Sequence, residues 1–148
     1  MRKWDASGKS DRPWPAVLCI DDDPQIVDTL GLRLRPYQVE VLTACHGMHG
    51  FWQAMTRQPD LIITDVRMPQ GSGEYLVQCL RRNTDTRSIP VIVLTGQRDP
   101  ELQRSMRQLG AQEFATKPVP FQDLLQMIGK HVPLKLRDEE LVAGAAEY

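Results

Sequence analysis

Residues 16–27 read Ala16-Val17-Leu18-Cys19-Ile20-Asp21-Asp22-Asp23-Pro24-Gln25-Ile26-Val27, and they change character twice. Five apolar residues in a row are strand-sized, and an unbroken apolar run is what a strand covered on both faces requires. Three carboxylates follow, and then a proline, which is favoured at the first position of a helix because its missing N–H has no partner there. Asp23 is placed to cap that helix, and Ile26, Val27, Leu30 and Leu34 share one face until Pro36 ends it. A buried strand entering a capped helix through a polar turn is the opening of a βαβ unit.

The same alternation recurs outward from this stretch. Further strand candidates are Val39 to Thr43, Leu61 to Thr64, Val91 to Leu94 and Glu113 to Thr116. A second helix fits His46 to Arg57, with Met48, Phe51, Trp52 and Met55 at helical spacing, which places Trp52 in the core. A third, Gly73 to Arg82, is carried by Tyr75, Leu76, Cys79 and Leu80, and Asn83 to Ser88 is its polar exit loop. The fourth runs from Pro100 to Leu109 with Leu102, Met106 and Leu109 inward and Gly110 at the C′ position, and the fifth uses Phe121, Leu124, Leu125 and Ile128. Five strand–helix pairs predict an α/β fold with a doubly wound parallel sheet.

Composition narrows the class further. The chain has 148 residues, 41% hydrophobic and 25% charged, close to the globular average. One domain over residues 15–132 is expected, with an N-terminal extension over 1–14 and a C-terminal tail over 133–148, where Leu136 to Ala143 suits a linker helix or a homodimer contact. A formal net charge of −1 supplies no field to draw in nucleic acid or an anionic membrane. No apolar run approaches bilayer length and no apolar core follows the basic N-terminus, so a cytoplasmic protein without a membrane or nucleic-acid partner is expected. Cys19, Cys45 and Cys79 lack CxxC spacing and read as reduced small hydrophobes. His46, His49 and His131 read as dispersed surface or helix-end residues without a ligand partner, and Arg81, Arg82, Arg98, Arg104 and Arg107 as a solvated face.

The polar residues carry the functional signal. In a parallel α/β sheet the carboxyl ends of the strands share one edge, and ligands bind there. Asp21, Asp22 and Asp23 follow the first strand, Asp65 the third, Thr95 the fourth and Lys117 the fifth, so residues far apart in sequence converge. Crowded carboxylates repel unless one is protonated or a cation sits among them. Oxygen-only ligands favour Mg2+, which is typically held by one or two carboxylates together with a phosphoryl oxygen. Asp65 is then a nucleophile toward phosphorus, with Lys117 and Thr95 binding the phosphoryl group, and the product is an acyl phosphate.

From about Pro15 to Val132 the chain resembles the receiver domain of bacterial two-component response regulators. The resemblance rests on Ile20-Asp21-Asp22-Asp23, on Ile63-Thr64-Asp65-Val66-Arg67-Met68-Pro69 with Gly73 following, on Val93-Leu94-Thr95-Gly96 and on Thr116-Lys117-Pro118. Thr95 lies thirty residues beyond Asp65, and Lys117 twenty-two beyond Thr95. The resemblance implies a flavodoxin-like (βα)5 fold with strand order 2-1-3-4-5, and phosphorelay signalling in which Asp65 accepts a phosphoryl group from a sensor histidine kinase or histidine phosphotransfer protein. It implies Mg2+ as cofactor, with Asp22 a direct ligand, Asp21 acting through water, and Asp65 and the backbone carbonyl of Arg67 completing the set. Thr95 and Phe114 would be the switch pair, with Phe114 standing where the family more often has tyrosine. A downstream output protein would read the face formed by the fourth helix, fifth strand and fifth helix. Arg67 and Gln97, each two residues past a site residue, are expected to flank the hydrolytic water and tune phosphoryl lifetime. The family usually has a cis bond at the Lys117-Pro118 position. Such a domain is a signalling switch and no enzyme beyond self-phosphorylation and slow autodephosphorylation.

Three other readings compete with this one. A haloacid-dehalogenase-type phosphatase shares an aspartate after the first strand, which Asp21-x-Asp23 imitates, but it needs an acidic pair downstream of Lys117 and leaves Asp65 unexplained. A flavodoxin would place phosphate where three aspartates repel it. A pseudo-receiver, binding partners without phosphorylation, is opposed by the intact Asp65, Thr95 and Lys117.

Overall fold

The computed structural model describes residues 12–68, 72–96 and 98–138. Strands β1 (Ala16–Ile20), β2 (Glu40–Ala44), β3 (Leu61–Thr64), β4 (Val91–Thr95) and β5 (Glu113–Thr116) alternate with helices α1 (Pro24–Leu34), α2 (Gly47–Arg57), α3 (Gly73–Arg82), α4 (Pro100–Gln108) and α5 (Phe121–Gly129). The strands form one sheet in the order β2-β1-β3-β4-β5, every neighbouring pair parallel. This is the expected doubly wound arrangement, and β1, between β2 and β3, is wholly buried.

Alternate residues of the strands feed two cores. Leu18, Ile20, Ile62 and Val93 pack with Ala54 of α2, Leu76 and Leu80 of α3 and Met106 of α4. Val17, Cys19, Ile63 and Leu94 pack with Val27, Leu30 and Leu34 of α1 and Leu124 and Ile128 of α5. Three helices therefore cover one face of the sheet and two the other. Helix caps match the sequence: Asp23 accepts the Gln25 N–H at 3.0 Å with Pro24 behind it, and Gly110 takes φ 102° just past α4.

Several boundaries move by a residue, and three apolar residues of the expected helix faces turn outward. β2 begins at Glu40 instead of Val39 because Glu40 pairs with Ala16, and β4 continues to Thr95. α2 starts at Gly47, with His46 as its cap. Trp52, expected in the core, is 61% exposed, and Met48 and Tyr75 are also exposed. The cause lies in the small residues of α2: Gly47, Gly50 and Ala54 form its buried side, and a Cβ on Gly50 would land on the Ile20 side chain. A helix lying that close to the sheet turns its inward stripe onto the small residues, and Phe51 and Met55 flank it while Trp52 faces water. Cys45 is exposed as well, so of the three cysteines only Cys19 is a fully buried hydrophobe.

Arg81 also departs from expectation. Instead of belonging to a solvated face, it is half-buried and donates to the carbonyls of Arg87 (3.0 Å), Ile89 (2.8 Å) and Gly110 (2.7 Å) and to the Gln112 side chain (3.1 Å). Gln112 Oε1 in turn accepts the Val91 N–H at 2.7 Å. The guanidinium thus ties the α3 exit loop to the start of β4 and to the α4–β5 turn, and Thr86 closes the same loop by donating to the Leu80 carbonyl. Its donors serve carbonyls that the fold otherwise leaves open. Arg81→Ala should lower stability by about 2–3 kcal/mol, from several bonds to a charged donor of which part is recovered by water. Arg81→Lys should recover little, since an ammonium lacks the planar fork. Urea unfolding midpoints of the three proteins check this, and a loss under about 0.5 kcal/mol for Arg81→Ala would show the network to be ornamental.

The chain past α5 returns to the amino edge of the sheet. Gln38 N–H donates to the Lys135 carbonyl and Arg137 N–H to the Pro36 carbonyl, each at 2.7 Å, and Tyr37 and Leu136 form an antiparallel bridge. The Arg137 guanidinium lies 4.7 Å over the Trp14 ring. Of the stretch Leu136 to Ala143, read from sequence as helix-forming, residues 139 onward lie outside the described residues, and Leu136 and Arg137 run beside the α1–β2 loop.

Candidate functional site

The carboxyl ends of β1, β3, β4 and β5 bring Asp21, Asp65, Thr95 and Lys117 together. Asp21 is buried, and its two oxygens are already committed: Oδ1 accepts the Asp23 N–H at 2.9 Å, and Oδ2 accepts from Lys117 Nζ at 2.8 Å. Asp22, the next residue, turns outward and is exposed. Asp65 is half-buried, with Oδ1 held by the Val66 N–H at 2.7 Å and Oδ2 3.7 Å from Lys117 Nζ. Lys117 is thus shared between two carboxylates. It is placed by the backbone, because its N–H donates to the Thr95 carbonyl at 2.7 Å; its bond to Pro118 is cis. Thr95 is buried at the end of β4, beside Thr116 in the register, and Phe114 lies across from Val93, half-buried against the core that holds Leu102 and Met106. The Arg67 side chain is exposed, and Gln97 lies outside the described residues.

Burial sets the electrostatics. It pushes the Asp65 carboxyl above the usual aspartate range, and the charge of Asp21 adds to this, against the pull of Lys117 and the N–H groups of Val66 and Arg67. For Lys117 burial works the other way, but the hydrogen bond and charge of Asp21 and the charge of Asp65 outweigh it, so the ammonium is held more firmly than usual. Behind them the Cys19 thiol is pushed up to about 12 by burial and by Asp21, which leaves it unreactive.

Asp21, Asp22 and Asp65 each offer an oxygen within 4.8 Å of the others. One lysine shared between Asp21 and Asp65 under-compensates three carboxylates, and the ligand set is all hard oxygen. Those are the conditions that suit a small divalent cation of the magnesium type.

Two features of this region escaped the sequence reading of site residues. Gly73 is pressed against the backbone of Asp65 and Val66: a Cβ there would lie 2.7 Å from the Asp65 carbonyl oxygen and from Val66 Cα, and Gly73 N–H donates to the Val66 carbonyl at 2.7 Å. Its place in the motif was the only signal. The second is a correction. Cys45, His46 and His49 are not dispersed, since their ligand atoms lie within 4.8 Å of one another at the end of β2. The Cys-His-x-x-His spacing carried that information. His131 is half-buried, 3.8 Å from Glu113.

The model of the response regulator receiver domain family matches residues 17–129. The chain belongs to that family. Among its relatives, the DNA-binding dual master transcriptional regulator RpaA of Synechocystis sp. is 36% identical over 90% of this chain and 54% of the relative. Protein PilH of Pseudomonas aeruginosa is 32% identical over 76% of this chain and 93% of its own length. The chain thus spans about half of RpaA and nearly all of PilH. The structure of chemotaxis protein CheY4 of Vibrio cholerae superposes with a TM-score of 0.75 at 28% identity, covering 80% of this chain and 99% of CheY4. Receiver domains are signalling modules, and the phosphatase and flavodoxin readings are not favoured. Among the described residues no helix of the receiver domain is long and apolar enough to cross a membrane.

Proposed function

We propose that this receiver domain is a phosphorylation-dependent switch whose acceptor is Asp65, fed by a sensor histidine kinase or histidine phosphotransfer protein. The observation that carries the reading is the placement of Asp65 at the mouth of the sheet edge, 3.7 Å from a Lys117 ammonium that is itself braced by Asp21. An Asp65 oxygen attacks the phosphorus of a phosphohistidine, the P–N bond breaks with its electron pair going to nitrogen, and the imidazole leaves as a neutral ring that keeps the proton already on its other nitrogen. Gly73 and the Val66 N–H hold the attacking carboxylate in place, Lys117 donates to the transferring oxygens, and Thr95 offers its hydroxyl to the phosphoryl group from the neighbouring strand. Asp22, Asp65 and the Arg67 backbone carbonyl would hold Mg2+, which would supply charge neutralisation to the phosphoryl oxygens. Asp21 fits an indirect role toward the cation, because both of its oxygens are occupied by Asp23 N–H and Lys117.

Movement of Thr95 toward the phosphoryl group, followed by Phe114, would pass the signal to the α4–β5–α5 face and to a downstream output protein. Phe114 transmits by volume alone, since it lacks a hydroxyl. Intact mass after incubation with acetyl phosphate tests the reading: one phosphoryl adduct is expected with magnesium and none after chelation. An unmodified protein under both conditions would favour the pseudo-receiver.

Arg67 is exposed two residues past Asp65, and its long side chain is proposed to obstruct the hydrolytic water. Arg67→Ala should shorten the acyl-phosphate half-life about threefold, a barrier change of about 0.7 kcal/mol. Decay of the adduct by timed mass spectrometry measures it, and an unchanged half-life ends the idea. Gln97 is proposed to act on the same path.

A further inference from the structure

A second constellation of ligands, unlike the first in chemistry, stands where β2 gives way to α2. Cys45 is the last residue before the cap, His46 caps the helix, and His49 lies on its first turn, so the thiol and the His49 ring are four residues apart and face each other. Cys45 Sγ lies 4.0 Å from His49 Nδ1, the two imidazoles have centroids 5.6 Å apart at 49°, and all three ligand atoms fall within 4.8 Å of one another. Cys45 is exposed and both histidines are half-buried, so a cation reaches them from solvent.

We propose that Cys45, His46 and His49 form a binding site for a thiophilic divalent cation of the zinc type, separate from the carboxylate site. One sulfur and two imidazoles are soft or borderline ligands that select such ions over magnesium. Tetrahedral zinc with ordinary Zn–S and Zn–N lengths places sulfur and nitrogen roughly 3.6 Å apart. The 4.0 Å separation is a few tenths wide, and rotation of the exposed Cys45 side chain closes it. Binding converts the thiol to a thiolate and releases its proton to solvent.

The three ligands are not equal. The positive end of α2 opposes a bare cation, so the thiolate charge is indispensable. His46 Nδ1 already accepts the His49 N–H at 3.1 Å, and coordination through either of its nitrogens costs that bond, since a ring bound through Nε2 carries its proton on Nδ1. His46 is therefore the weakest ligand. Three protein ligands leave a fourth position open to water or to a group from another molecule.

Cobalt, a spectroscopic substitute for zinc, tests the site on the full chain with magnesium in excess to occupy the carboxylates. One equivalent should give tetrahedral visible bands and a thiolate-to-cobalt charge-transfer band, both bleached by zinc. The charge-transfer band should vanish in Cys45→Ser, affinity should fall at least tenfold in His49→Ala and a few-fold in His46→Asn, which keeps a capping acceptor, and Cys79→Ser should change nothing. Zinc should also slow maleimide labelling of Cys45 in the unaltered protein at least tenfold, a readout independent of how the variants fold. A band that survives Cys45→Ser, an octahedral spectrum without charge transfer, or an unchanged labelling rate would each overturn the proposal.

Discussion

Asp65→Asn is expected to carry no phosphoryl adduct and yet to be harder to unfold than the unaltered protein at neutral pH. The first effect follows from chemistry, since an amide oxygen is too poor a nucleophile to take phosphorus from a donor, and the adduct should fall below detection. The second follows from burial. The Asp65 carboxyl is raised above its ordinary value near 3.8, chiefly by desolvation, so the folded state holds its proton more tightly than the unfolded chain does. The stability that this group contributes is complete below the unfolded-state value and is lost as pH rises through the higher folded-state value. At pH 7 the ionised carboxylate opposes folding. Asparagine removes that cost and its carbonyl still accepts the Val66 N–H. Urea midpoints in magnesium-free buffer should therefore favour the variant at pH 7 and converge near pH 3. A variant that still acquires one phosphoryl group would displace Asp65 as acceptor, and one that is less stable at pH 7 would show that Lys117 compensates its charge in full.

Lys117→Ala should fail in both respects. Its ammonium is 2.8 Å from Asp21 and 3.7 Å from Asp65, and the Asp21 carboxylate is buried. Removing the cation leaves two carboxylates facing each other, one without its main counter-charge. Breaking a buried pair costs about 3–5 kcal/mol, and because a quarter of the lysine side chain is exposed and Asp21 retains the Asp23 N–H, about 2–3 kcal/mol is expected here. The raised Lys117 value means that its contribution is fully present below the unfolded-state value near 10.5 and is lost only as pH rises through the folded-state value above it. The whole loss should therefore be seen at pH 7. Phosphorylation from acetyl phosphate should slow on the order of a hundredfold, the scale set by losing one preorganised donor to developing charge. Adding Asp21→Asn should restore part of the stability and none of the rate. An unaltered midpoint in Lys117→Ala would mean that the contact to Asp21 stabilises nothing.

The frame was legible because its signals are local. Ala16–Ile20 could be no exposed strand, and Asp23-Pro24 could begin little but a helix, so the alternation of elements and the edge where the acidic residues meet followed from the residues themselves. The site was legible for the same reason: Thr95 ends a strand, Asp21, Asp65 and Lys117 each directly follow one, and a parallel sheet puts strand ends together. What sequence pattern missed depends on close approach between elements. Trp52 shares the helical spacing of a core residue, but Gly50 lets α2 settle onto Ile20 and rotates the stripe away from it. Arg81 resembles any basic residue near a helix end until its three carbonyl partners, brought from two loops, surround it. The donors from Val66 and Asp23 belong to the backbone, and side-chain identity says nothing about them.

The return of residues 135–137 to the α1–β2 loop gives the molecule a fixed point of attachment. It sits at the amino ends of the strands, one strand length, roughly 15 Å, from the carboxylates, and beside β2, four strand spacings or roughly 19 Å across the sheet from β5. A surface, bead or fluorophore joined next to Asp138 would therefore anchor the domain at the corner diagonally opposite Lys117, leaving donor access and the α4–β5–α5 face unshadowed. Immobilised in that orientation, the domain can be charged with phosphate and offered to binding proteins in the same flow cell.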